Sequence, residues 1–90
     1  MANKRSLKRS INYICGELLA ECVAISVYYN CDKKNADTLL RTIMRMHSDY
    51  IMRVSHPEPG MLAKKYYNKL ISDFNTSVNE VVDHMKNLHA

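Results

Sequence analysis

The chain predicts an all-α fold, an up-down-up three-helix bundle that packs as a dimer, and three observations carry that expectation. Apolar residues recur at steps of three and four in three separate segments, the period of a helix and not of a strand. Two polar or proline-bearing breaks divide those segments. The 90 residues include two glycines and two prolines, with 47% hydrophobic and 24% charged side chains, which excludes a disordered, collagen-like or loop-rich disulfide chain. At 10.4 kDa the chain is one domain, 1–90, with enough apolar surface for a single core.

The first helix is predicted over 6–29. Leu7, Ile11, Ile14, Leu18, Cys22, Ile25 and Tyr29 fall on one face. The polar run 30–35 breaks it, and Asn35 is suited to cap a second helix over 36–54. The inward face of that helix reads Ala36, Leu39, Leu40, Ile43, His47, Tyr50, Ile51 and Val54. His56-Pro57-Glu58-Pro59-Gly60 ends it, because proline lacks the N–H and disfavours helical geometry in the residue before it. A third helix is predicted over 60–88, with Ala63, Tyr67, Leu70, Phe74, Val78, Val81, Met85 and Leu88 on one face. Short connections make consecutive helices antiparallel.

Two features point to self-association. Opposite the core stripe of the first helix lie Gly16, Ala20, Val23, Ala24 and Val27, and Gly16, Ala20 and Ala24 at four-residue spacing permit another backbone to approach closely. The third helix is expected to outrun the second, so that Val81, Val82, Met85 and Leu88 overhang it and need cover, either from the 30–35 connection folding over them or from a second subunit. A two-fold homodimer is the simplest arrangement.

The net charge is +4, and Lys4, Arg5, Lys8 and Arg9 account for all of it, since the rest of the chain holds equal numbers of basic and acidic side chains. By sequence the protein is a neutral body with a basic N-terminal arm, 1–9. Cations at a helix N-terminus oppose the macrodipole, so the arm either frays or meets an anion. Nucleic acid is therefore an alternative partner, through phosphate contacts of these four residues. Neither a helix-turn-helix nor a zinc motif accompanies them.

For chemistry, Glu17 and Glu21 are one turn apart in the most apolar stretch, and buried carboxylates need partners. The antiparallel register brings their level near His47 and Tyr67, giving a candidate polar cluster of Glu17, Glu21, His47 and Tyr67. Carboxylates and imidazole on facing helices also suit a metal, a third reading. Di-iron bundles, however, use paired Glu-x-x-His segments, whereas Glu80 and His84 stand four apart. Cys15 and Cys22, about 10 Å apart along one helix, are too distant to bridge and read as buried thiols of a reducing compartment. No catalytic residue and no cofactor is expected, so the chain reads as non-enzymatic. Glu17 and Glu21 interrupt any leader-like apolar region, and the expected location is cytoplasmic, without a membrane partner.

Asn12-Tyr13-Ile14-Cys15-Gly16-Glu17-Leu18-Leu19-Ala20-Glu21-Cys22, preceded by Lys8-Arg9-Ser10-Ile11, resembles an uncharacterised family of small all-helical bacterial proteins. The resemblance covers 8–22. It implies a helical, cytoplasmic bacterial protein and brings no activity, cofactor or site residue with it. The function expected is that of a self-associating interaction or regulatory module with an unidentified protein partner.

Overall fold

The computed structural model describes residues 4–28 and 33–88, and these contain three helices and no strand: α1 Lys4–Tyr28, α2 Lys33–Ser55 and α3 Ala63–Leu88. The all-α expectation holds. The boundaries differ from the predicted ones for identifiable reasons. α1 begins at Lys4, so the four arm cations are helical; 1–3 and Tyr29 lie outside the described residues. α2 begins at Lys33, because Lys33 and Lys34 are good helix formers and extend it backwards, leaving Asn35 inside the first turn instead of capping it. α3 begins three residues later than predicted. Glu58-Pro59-Gly60-Met61 forms a turn closed by a 3.4 Å bond from Met61 N–H to the Glu58 carbonyl, and Gly60 has φ 85°. Proline second and a positive-φ glycine third are the requirements of a type II turn, and that φ cannot continue into a helix.

Side-chain bonds fix which parts of the helices lie level. His47 Nε2 meets Asn12 Oδ1, and the Cys22 thiol donates to the Ala36 carbonyl at 3.9 Å, so early α1 lies beside late α2 and late α1 beside early α2. On the other side, Tyr67 Oη donates to the Val54 carbonyl at 3.1 Å, and Tyr50 Oη bonds Ser77 Oγ at 3.0 Å. The start of α3 is thus level with the end of α2.

One continuous core runs along the bundle. α1 contributes Leu7, Ile11, Cys15, Leu18, Cys22 and Ile25; α2 contributes Leu39, Ile43, Met46, Tyr50 and Val54; α3 contributes Leu70, Phe74, Val81 and Met85. Ile43 and Val54 are completely buried, and the Tyr50 ring stands edge-on to Phe74 at 5.1 Å between centroids. Cys15 takes the core position predicted for Ile14, which is only half-buried, and Met46 takes that predicted for His47. On α1 and α2 the stripe is rotated slightly from the face counted at 100° per residue. Ala63, predicted in the core, is exposed because it is the first residue of its helix.

The overhang expected of α3 does not occur. With α2 longer and α3 shorter than predicted, the two have 23 and 26 residues, and Val81 and Met85 are each 4% exposed within their own chain. Val82 and Leu88 are half-buried against the same core. These four residues pack into the core of their own chain and need no second subunit to cover them.

Candidate functional site

α1 is apolar on both sides. Beyond its six core residues, its outer side exposes Tyr13, Val23, Val27 and Tyr28, the last two at 71% and 83%, with Gly16, Ala20 and Ala24 between them. Glu17 and Glu21 are the charges on this stretch. Nothing lies within 4 Å of the place a Gly16 Cβ would occupy, so no contact inside the chain requires a glycine there. A glycine in a helix interior costs about 1 kcal/mol relative to alanine, and the fold of one chain gives no return for it. The total accessible surface, 6628 Å², exceeds the roughly 5,400 Å² of a compact chain of this mass. The bundle's elongation to 47 × 18 × 18 Å and the uncovered α1 face both enter that excess.

A second feature is electrostatic. Because α1 starts level with the end of α2, and α3 starts there too, Lys4, Arg5, Lys8 and Arg9 share one end of the bundle with Lys64, Lys65 and Lys69. Lys8 is half-buried and the other six are exposed. The aspartates nearest this end are already engaged: Asp49 pairs with Arg53 at 3.1 Å and Asp73 lies 4.0 Å from the same guanidinium, which also sits 4.8 Å over the Tyr50 ring. Neither α1 nor α3 carries an acidic residue in its first turn to offset the positive end of its macrodipole.

The proposed polar cluster is dispersed. His47 is half-buried at the α1–α2 seam and bonds Asn12; Tyr67 bonds the Val54 carbonyl; Glu17 and Glu21 are exposed on the outer side of α1. The cause is the rotated stripe, which moves His47 to a flank and leaves the carboxylates in solvent, where they need no partner. Among the described residues no three His, Cys, Asp or Glu side chains gather as a metal site. The Cys15 and Cys22 thiols are buried, and burial pushes the Cys15 thiol above its ordinary pKa, which disfavours the reactive thiolate. Cys31 lies outside the described residues.

Sequence reasoning placed Tyr67 on the core face and in the polar cluster but missed Tyr66 and the role the two tyrosines share. Tyr66 Oη donates to the Arg53 carbonyl at 2.9 Å and reaches the His56 carbonyl at 3.4 Å, while Tyr67 takes that of Val54. Two side chains of α3 thereby satisfy carbonyls that the end of α2 leaves open. The signal available was two adjacent tyrosines just after a helix-ending Pro-x-Pro-Gly.

α1 is also long and apolar enough to cross a membrane by length and composition, with an 18-residue window of mean hydropathy 1.4, though six of its residues are buried in the core. Searches of protein-family models, curated proteins and solved structures find no match to this chain.

Proposed function

We propose that the protein is a non-enzymatic helical interaction module, an up-down-up bundle that associates with a second copy of itself through the outer face of α1. The observation that carries this reading is Gly16. It sits mid-helix at a cost in helix stability, faces open space within its own chain, and lies among exposed Tyr13, Ala20, Val23, Ala24 and Val27. A glycine at such a place is useful when a neighbouring backbone must come close. Isologous pairing of α1 with α1 covers this face on both protomers at once and needs no second kind of surface. The bonds that put early α1 beside late α2, and late α2 beside early α3, support the up-down-up course. A cytoplasmic location is consistent with a buried Cys15 thiol that forms no disulfide.

Light scattering on the intact chain at tens of micromolar tests the reading. The expected mass is twice the 10.4 kDa of one chain. A single-chain mass at that concentration contradicts it.

A further inference from the structure

We propose that the end of the bundle where α1 and α3 begin is a composite site for the phosphate backbone of duplex nucleic acid, built from Lys4, Arg5, Lys8 and Arg9 of α1 together with Lys64, Lys65 and Lys69 of α3. The linear sequence assigns the last three to a neutral body. The fold carries them to the arm. Eight basic side chains, including Arg53, and three acidic ones, Asp49, Glu58 and Asp73, belong to this end, whereas the chain as a whole holds 13 and 9. The seven lysines and arginines named make no ion pair among the described residues, and both aspartates are drawn to Arg53. The bundle is 18 Å across. Duplex DNA carries a charge every 1.7 Å or so of its axis with both strands counted, so a length equal to that width holds about ten phosphates, enough for seven contacts.

A duplex fits this end better than an anionic bilayer does. A bilayer needs apolar side chains beside the cations, but Val27 and Tyr28 are at the opposite end of α1, with Glu17 and Glu21 between. Tyr13, Met52 and Leu62, each from a different segment, are the large exposed apolar residues near the cations and give little to insert.

Fluorescence anisotropy with mixed-sequence duplex DNA and duplex RNA across a salt series tests this. Seven contacts give a slope of log K against log salt of about −6, and removing n of them flattens it by about 0.9 n. Lys64→Gln/Lys65→Gln/Lys69→Gln is expected to flatten it to about −4, and Lys4→Gln/Arg5→Gln/Lys8→Gln/Arg9→Gln to about −3. Far-UV circular dichroism verifies that both variants remain helical, and an unfolded triple variant is replaced by the single Lys65→Gln, expected to flatten the slope by about 1. Absence of binding to both duplexes at low salt overturns the proposal. So does an unchanged slope in the folded α3 variant, and so does binding to phosphatidylglycerol vesicles without binding to either duplex.

Discussion

α1 and α3 serve the same core and differ entirely on their outer sides. Every exposed residue of α3 after Ala63 is polar or charged, from Lys64 through Asn75 and Glu80 to Asn87. From Tyr13 onward the exposed residues of α1 are Tyr13, Gly16, Ala20, Val23, Ala24, Val27 and Tyr28, with Glu17 and Glu21 as its charges. Folding one chain requires only one apolar stripe per helix, which α3 provides and no more. The second stripe on α1 is surplus to that requirement, and surplus apolar surface persists at a cost in solubility unless something covers it.

The comparison can be broken first on the shared inner side. Phe74→Ala removes a buried ring that packs on Tyr50, and urea unfolding is expected to register a loss of about 3–5 kcal/mol, a large part of the stability of a domain this size. On the outer sides the helices should part company. Val23→Lys with Val27→Lys on α1 is expected to weaken self-association about a hundredfold in sedimentation equilibrium, while Asn75→Lys with Asn79→Lys on α3 leaves it unchanged.

Smaller effects sharpen the picture. Tyr67→Phe deletes the hydroxyl that serves the Val54 carbonyl and should cost about 0.5–1.5 kcal/mol in thermal or urea unfolding, with helical content retained. Gly16→Ala fills open space and should stabilise the dissociated chain by about 0.5–1 kcal/mol, measured at submicromolar concentration. Cys15 gives the least. Its folded pKa is raised by burial, so its contribution to stability is complete below the unfolded pKa and is lost as pH rises through the folded one. Unfolding midpoints should therefore fall on the alkaline side of the thiol range, less steeply in Cys15→Ala.

The sequence made the helical period legible, and with it the fold class and most of the core. Leu7, Ile11, Leu18, Leu39, Ile43, Leu70 and Phe74 lie where their spacing puts them. What failed was finer than the period. A stripe counted at 100° per residue does not decide whether Met46 or His47 faces the core, because the choice depends on where neighbouring helices sit, and the polar cluster hung on that choice. The overhang of α3 hung on boundaries of two or three residues, which the Pro59-Gly60 turn and Lys33-Lys34 moved. The outer face of α1 was legible from Gly16, Ala20 and Ala24. The basic end was half legible, since Lys64, Lys65 and Lys69 join the arm only once the chain doubles back.

The central claim is that the outer face of α1 belongs to a second copy of the chain. Sedimentation equilibrium of the wild type beside Gly16→Leu tests it most directly, because a Cβ added there meets nothing within 4 Å in its own chain and leucine is a strong helix former, so helicity and monomer stability should stay intact. The account predicts a dimer for the wild type and a 10.4 kDa species for the variant at the same tens of micromolar. Equal masses for the two folded proteins, monomeric or dimeric, would contradict it.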